Sequence, residues 1–213
     1  MTTSSGPAVP FLNGGAHPSA EQGMCLMEAV SETARLPWSD EPPCTHPLLA
    51  HLARVVNDAS SDHGRQDLKA LVSDLASAAP GDATQAAQTS ARVAVACTEV
   101  ALEFRASPLL NHLHRVAAAQ LVRESRSSTG GPGRFARPRR LMFERGPGAR
   151  AIEVAASACL HAPPAARDAA LRELLRVGIA AAHKASAGGA RPRGDDQQPG
   201  GCGEACAGRV RSR

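Results

Sequence analysis

The side chains best suited to chemistry in this 213-residue chain are concentrated between residues 23 and 58. The residues that could take part are Cys25, Glu28, Asp40, Cys44 and His46. Cysteine and histidine are preferred zinc ligands, and a helix–loop–helix could bring such residues together. Cys25 and Cys44, however, are separated by a predicted helix and loop, whereas zinc motifs use short fixed spacings. Because both cysteines can also serve as small buried hydrophobes, we expect no cofactor, with zinc held by Cys25, Cys44 and His46 as the alternative.

A nucleophilic cysteine is a second chemical possibility in the same region. Cys25 lies near the start of a predicted helix, where the helix dipole lowers the pKa of a thiol. His46 or His51 could act as its base, and Asp58 could align that base. No glycine-rich turn or oxyanion-hole loop is recognisable nearby. The alternative to an interaction protein is therefore a small metal- or thiol-dependent enzyme using Cys25, Glu28, Asp40, Cys44 and His46.

Arginines suited to nucleic-acid binding occur in a separate stretch. Arg134, Arg137, Arg139 and Arg140 alternate with aromatic and apolar residues between residues 134 and 143, as in proteins that bind single-stranded nucleic acids. The same composition is typical of a solvated linker. A nucleic-acid accessory protein is therefore the second alternative function.

Apolar periodicity indicates the helices that must position these residues. Leu26, Met27, Val30 and Ala34 form one face of a helix between residues 20 and 35, and Pro37 ends it. Pro42-Pro43 keeps the next loop extended, and Thr45 or His46 caps a second helix that begins at Pro47. Further apolar stripes predict three more helices, at about residues 62–79, 82–105 and 107–124. The helix of residues 82–105 is expected to lie at the centre of the fold. The fold class predicted is all-α.

Changes in composition divide the chain into five parts. Residues 1–18 are predicted to be a disordered arm, and residues 19–124 a bundle of about five helices. Residues 125–148 are rich in arginine, glycine and proline and predict a linker. Residues 149–185 predict a C-terminal helical pair, and residues 186–213 a disordered tail.

Bulk composition limits the protein classes that fit the chain. The formal net charge is +4, and only 2% of residues are aromatic, so the core should be helical and thin. The first residues show neither a basic n-region nor a long apolar run. No apolar stretch reaches the length of a membrane span. We therefore expect a cytoplasmic protein with reduced cysteines and no association with a membrane.

The polar residues of the two first helices and their loop form a recognisable pattern. The matching residues are Cys25, Met27, Glu28, Ala29, Trp38, Ser39, Asp40, Pro42 or Pro43, Cys44, Pro47, Arg54, Asn57 and Asp58. This pattern resembles an uncharacterised family of small helical proteins from actinomycetes and their phages, with a Cys-x-Met-Glu-Ala helix, a Trp-Ser-Asp-x-Pro-x-Cys loop and a closing Arg-x-x-Asn-Asp. The resemblance fades after residue 75 and implies no activity. Arg35 and Leu36 replace a Gly-Glu pair of that family.

Folding alone does not explain all the polar residues of this region. The candidate functional cluster therefore comprises Cys25, Glu28, Trp38, Asp40, Cys44, His46, Arg54, Asn57 and Asp58. No motif with an established mechanism is present, so we interpret the chain as a non-enzymatic interaction or regulatory module. We expect a protein partner at a surface centred on residues 25–58, with nucleic acid as the alternative partner of the arginine-rich stretch.

Overall fold

A computed structural model describes residues 11–79, 81–127 and 136–187. These residues form α-helices without any strand, so the predicted all-α fold is confirmed. The helices are α1 (Leu26–Thr33), α2 (Pro47–Ala59), α3 (Asp62–Asp67), α4 (Val72–Ala76), α5 (Ala83–Phe104), α6 (Pro108–Ser127), α7 (Ala136–Phe143), α8 (Ala149–Cys159) and α9 (Arg167–Ala187). Short 3-10 turns occupy Ala20–Gln22, Leu68–Leu71 and Pro164–Ala166.

Helix α5 lies at the centre of the bundle, as its apolar sequence predicts. Asp82 begins it by accepting hydrogen bonds from the backbone N–H groups of Thr84 and Gln85, and the Gln85 side chain accepts from the N–H of Asp82. This reciprocal capping box satisfies N–H groups that the helix itself leaves unpaired. α6, α7, α8 and α9 all pack on α5, because its many small alanine side chains permit close approach.

The first predicted helix is shorter than its periodicity suggested. It was expected from about residue 20, but α1 begins at Leu26 after a separate 3-10 turn. Gly23 lies between them with φ +132°, a conformation that L side chains rarely adopt and that cannot continue a helix. The break places Cys25 at the cap of α1, outside the helix proper.

The second helix follows its predicted capping. Pro47 is the first residue of α2, and the ring nitrogen Nδ1 of His46 accepts a hydrogen bond from the N–H of Leu48. Leu48, Leu52 and Val56 are fully buried or nearly so. α2 packs against α8 and α9, and this contact fixes the side of α2 that stays at the surface.

Part of the predicted linker is helical. Within residues 125–148, α6 extends to Ser127, α7 follows at Ala136–Phe143, and a π-helical turn covers Glu144–Gly148. Phe143 and Glu144 are buried, so this segment contributes to the core despite its glycine and proline content. The π-helical turn can contain these glycines and Pro147 because the backbone angles of Gly146 are not helical. Residues 128–135 lie outside the described residues.

The C-terminal helical pair belongs to the same core. α9 packs along α5 and α2, and α8 packs on α5, α2 and α6. One cluster of buried apolar side chains extends from Leu12 to Ala182. No helix in the described part of the chain is long and apolar enough to cross a membrane.

The end of the predicted N-terminal arm packs on the bundle. Leu12 is fully buried, and its N–H and C=O groups both bond to the side-chain amide of Gln66, at 3.0 and 2.8 Å. Residues 11–18 therefore join the folded domain, contrary to their composition. Residues 1–10 of the arm and 188–213 of the predicted tail lie outside the described residues.

Candidate functional site

Cys25 and Glu28 form a capping box at the start of α1. The Cys25 thiol accepts a hydrogen bond from the N–H of Glu28 at 3.4 Å, and Oε2 of Glu28 accepts one from the N–H of Cys25 at 2.7 Å. Both residues are buried. Burial raises the pKa of the Cys25 thiol to about 12; the Glu28 N–H opposes this rise and the Glu28 charge adds to it. The thiol is therefore protonated at neutral pH and serves as a helix cap.

The Glu28 carboxylate also holds a histidine from the N-terminal segment. Oε1 accepts from the backbone N–H of His17 at 2.6 Å, and Nδ1 of its ring lies 3.0 Å from Oε2. The indole N–H of Trp38 donates to the C=O of His17 at 2.7 Å. Trp38 and Glu28 thus clamp one peptide segment between them. Composition placed His17 in the predicted arm, and nothing in its neighbouring residues indicates these long-range contacts.

The end of α2 holds the same segment at a second point. Nδ2 of Asn57 donates to the C=O of Asn13 at 2.9 Å, while its Oδ1 accepts from the N–H of Leu26 at 3.3 Å. Oδ1 of Asp58 accepts from the N–H of Gly15 at 2.8 Å. Asn57 is fully buried, so these bonds satisfy an amide that would otherwise be costly to bury.

The loop between α1 and α2 is held by Arg54. Its Nη1 donates to the C=O of Asp40 at 2.8 Å, and its Nη2 contacts Oε1 of Glu41 at 2.8 Å. Ser31 adds a hydrogen bond from its hydroxyl to the C=O of Ser39 at 2.5 Å. These contacts fix a proline-rich loop that belongs to neither helix.

Several of these residues surround one cleft of about 270 Å³. Its lining comprises Gly15, Ala16, Cys25, Asp40, His51, Arg54, Val55 and Asp58. The structure therefore brings together four members of the candidate cluster and His51, which was a candidate base. Burial and the charge of Arg54 lower the pKa of His51, and its Nε2 lies 3.8 Å from Oε1 of Glu153 without a hydrogen-bond partner.

His46 and Cys44 are not part of this cleft. His46 is fully buried, with Nδ1 bonded to the N–H of Leu48 and Nε2 2.9 Å from the C=O of Ala86. These partners require a neutral ring protonated at Nε2, and burial lowers its pKa to about 4. Cys44 is half-buried beside Thr45, 3.9 Å from its hydroxyl.

The three metal candidates, Cys25, Cys44 and His46, are therefore not brought together. Among the described residues, no group of three His, Cys, Asp or Glu side chains is arranged to hold a metal ion. Both ring nitrogens of His46 are already bonded within the protein. The expected zinc alternative finds no ligand set in this part of the chain.

The arginine candidates lie on or beside α7. Arg137 and Arg139 are exposed, and Arg134 lies outside the described residues. Nε of Arg140 is 3.7 Å from Oε1 of Glu144. That carboxylate accepts a hydrogen bond from the Ser90 hydroxyl at 2.6 Å. Arg140 is thus partly occupied by a buried network that joins α7 to α5.

Sequence reasoning missed this buried network. Nε2 of His46 lies 3.6 Å from Oε1 of Glu144 and 3.4 Å from the Ser90 hydroxyl. Its members are far apart in the chain, and no local spacing connects them. Only the tertiary fold shows that the cap of α2 and the π-helical turn meet at α5.

No protein-family model, curated protein or solved structure matches this chain. The resemblance to a family of actinomycete and phage proteins therefore stays a prediction.

Proposed function

We propose that this chain is a non-enzymatic interaction module that binds a partner protein through its α1–α2 face. We define this face as residues 11–18, the loop of residues 34–46, and the surface side of α2 at His51, Arg54 and Asp58. The observation that carries the proposal is the fixation of two non-helical segments by side-chain hydrogen bonds. Ordered surface loops on a rigid helical scaffold are common binding elements.

The fixed segments are held at several independent points. His17 is clamped by Glu28 and Trp38, whereas Asn13 and Gly15 are bonded to Asn57 and Asp58. A loop already held in one conformation loses little entropy when a partner binds. Such preorganisation favours recognition by shape and charge.

The chemical groups of this face are used for structure, which supports a non-enzymatic role. The Cys25 thiol caps α1 and has a raised pKa. Glu28 accepts hydrogen bonds from two residues. Arg54 is bonded to Asp40 and Glu41. A nucleophilic cysteine would need the opposite environment, one that favours its thiolate.

An exposed aromatic residue at the edge of the face provides an anchor for a partner. Phe11 is 63% exposed, and the ammonium group of Lys69 lies 5.7 Å from its ring centre. Aromatic and arginine side chains dominate the binding energy of protein interfaces. Phe11 and Arg54 are therefore the residues we expect to contribute most.

Affinity capture with matched variants tests the proposal. Full-length protein is used to capture partners from a lysate of its host, together with Phe11→Ala and the control Phe104→Ala. Phe104 is an exposed phenylalanine at the end of α5, outside the α1–α2 face. We expect one protein to be retained by wild type and Phe104→Ala and reduced about tenfold by Phe11→Ala. Equal retention by all three proteins would contradict the proposal.

A second pair of variants tests the charged part of the face. Arg54→Glu should release the same partner, whereas Arg150→Glu, which changes an exposed arginine on α8, should retain it. Thermal melting of each variant shows whether the fold is intact. Partner loss without a fall in melting temperature supports a direct contact by Arg54.

The variant Cys25→Ser distinguishes a partner-binding function from that of a thiol-dependent enzyme. Cys25, His51 and Asp58 line one cleft, which is the arrangement that favours the enzymatic alternative. Serine retains a cap for α1 but not a thiol. We expect partner capture to be unchanged. Loss of capture by a Cys25→Ser protein that melts normally would favour the thiol-dependent alternative.

A further inference from the structure

A second cleft, of about 420 Å³, lies between α6 and the segment formed by α7 and the π-helical turn. Both sides of the cleft pack on the central helix, α5, through α6 and through α7. Val116 and Ala119 line the cleft on α6, and Met142, Phe143 and Pro147 line it on the opposite side. Its lining is therefore largely apolar, as in sites that receive apolar side chains.

Met142 stands out among the lining residues because 74% of its surface is exposed. Its neighbour Phe143 is only 6% exposed and belongs to the core. Methionine is flexible and polarizable, and it recurs at surfaces that adapt to apolar partner side chains. The exposed Met142 side chain beside the apolar cleft is therefore accessible to an apolar side chain of a partner.

The charged residues that line this cleft are both arginines, Arg123 and Arg139. Residues 108–148 contain eight arginines and only two acidic residues, Glu124 and Glu144. Both glutamates are buried: Glu124 accepts a hydrogen bond from Gln120 at 2.7 Å, and Glu144 accepts one from Ser90 at 2.6 Å. In the described part of this region, the exposed ionic charge is therefore contributed by arginine.

Two of these arginines border the cleft from opposite sides. Arg123 lies on α6, and Arg139 lies on α7. An occupant would thus place apolar groups between α6 and α7 and acidic groups at either edge. Charge complementarity of this kind selects partners by sign.

The shape and chemistry favour a peptide over nucleic acid. Base stacking on an aromatic ring needs an exposed face, but Phe143 is buried. Arg123 and Arg139 would attract phosphates and carboxylates alike, but the apolar lining between them fits the leucine or phenylalanine side chains of an amphipathic helix. We propose that the α6–α7 cleft binds an acidic, amphipathic segment of a partner protein, at a surface distinct from the α1–α2 face.

Peptide selection on the full-length protein tests this site. A display library of random peptides is selected on the immobilised chain, and the enriched sequences are read. We expect them to carry net negative charge and large apolar residues at helical spacing. Enrichment of neutral or basic peptides, or no enrichment at all, would overturn the proposal.

Variants of two arginines on the same helix then locate the binding. Arg139 borders the cleft, whereas Arg137 is exposed on α7 without lining it. The affinity of the best acidic peptide, measured by fluorescence anisotropy, should fall about tenfold in Arg139→Glu and about twofold in Arg137→Glu. Equal losses of affinity in the two variants would indicate unspecific charge attraction and would overturn the assignment to the cleft. An unchanged affinity in Arg139→Glu would also overturn it.

Three further measurements complete the test. Met142→Ala should weaken the acidic peptide without changing the charge of the surface, and a peptide with lysine in place of its glutamates should not bind. Oligothymidylate serves as the nucleic-acid probe. If it displaces the peptide, and its own binding depends more on Arg139 than on Arg137, the cleft belongs to nucleic acid and the proposal fails.

Discussion

Glu28 and His17 are joined through both oxygens of one carboxylate. The backbone N–H of His17 donates to Oε1 over 2.6 Å, and its ring Nδ1 lies 3.0 Å from Oε2. The same Oε2 receives the N–H of Cys25. One buried side chain thus caps α1 and fastens the N-terminal segment to it. The order of this segment and the start of α1 therefore depend on each other.

Replacing Glu28 with glutamine should reduce the free energy of unfolding by about 2–4 kcal/mol. In glutamine an NH2 group replaces one oxygen of the carboxylate, and it would face N–H groups that now donate to Glu28. The site is buried, since Glu28 is only 1% exposed. Urea unfolding measures the change, with Glu32→Gln as control because Glu32 is exposed on the same helix. A loss no larger than that of the control would contradict the structural role of Glu28.

Cys25 should react slowly with thiol reagents because it is buried and its pKa is raised to about 12. Alkylation by iodoacetamide at neutral pH, followed by peptide mass spectrometry, should modify the half-buried Cys44 before Cys25. Cys25→Ala should cost about 1 kcal/mol through loss of the helix cap, whereas Cys25→Ser should retain the cap. Faster labelling of Cys25 than of Cys44 would instead indicate an activated thiol.

The helices were predictable because their signals are local. Leu48, Leu52 and Val56 repeat at helical spacing and are buried in α2. Prolines mark the same boundaries in sequence and structure, with Pro47 as the first residue of α2. Because helix formation depends on such short-range patterns, α2, α5 and α6 lie close to their predicted positions.

The contacts of the candidate site depend on residues that are distant in the chain. Cys25 was expected inside the predicted helix of residues 20–35, but the φ angle of Gly23 breaks that helix and makes Cys25 the cap of α1 instead. His17 is held by Glu28 and Trp38, and no local pattern predicts this. Composition describes the residues themselves and not their distant partners, so it predicted disorder for a segment that is fixed.

The arginine-rich stretch shows the same limit. Its glycines and prolines predicted a linker, yet the burial of Phe143 and the hydrogen bond from Ser90 to Glu144 fix it on α5. The burial of Phe143 and Glu144 therefore orders this segment, although its overall composition is typical of a linker. Average composition cannot show which residue of a segment will be buried.

Stability should fall as the pH decreases from about 6.5 to about 4, owing to His46. The pKa of this ring is lowered from 6.5 to about 4, mainly by burial. Between these values the unfolded chain binds a proton that the folded protein excludes, so the contribution is complete above pH 6.5 and lost as the pH falls. A pKa change of this size corresponds to about 3 kcal/mol. Urea unfolding at several pH values measures it.

The variant His46→Asn isolates this effect from other groups. Asparagine can still cap α2, but it does not titrate in this pH range. Glu144 and Arg140 lie near His46, and His51 also has a lowered pKa, so part of the acid sensitivity should remain. An identical loss of stability with acid in wild type and His46→Asn would contradict the assignment to His46.

Gly178→Ala should destabilise the contact between α9 and α2. A Cβ atom on Gly178 would clash with Cδ2 of Leu52, and overpacking of this kind costs about 1–3 kcal/mol. This cost should exceed the gain of about 1 kcal/mol from the better helix propensity of alanine. Thermal or urea unfolding measures the single variant and the double variant Gly178→Ala/Leu52→Val, in which the shorter side chain makes room. We expect the Gly178→Ala change to be less destabilising in the Leu52→Val background than in the wild type. A Gly178→Ala protein as stable as wild type would show that α9 does not pack this closely on α2, and with it the docking of the C-terminal pair would be in question.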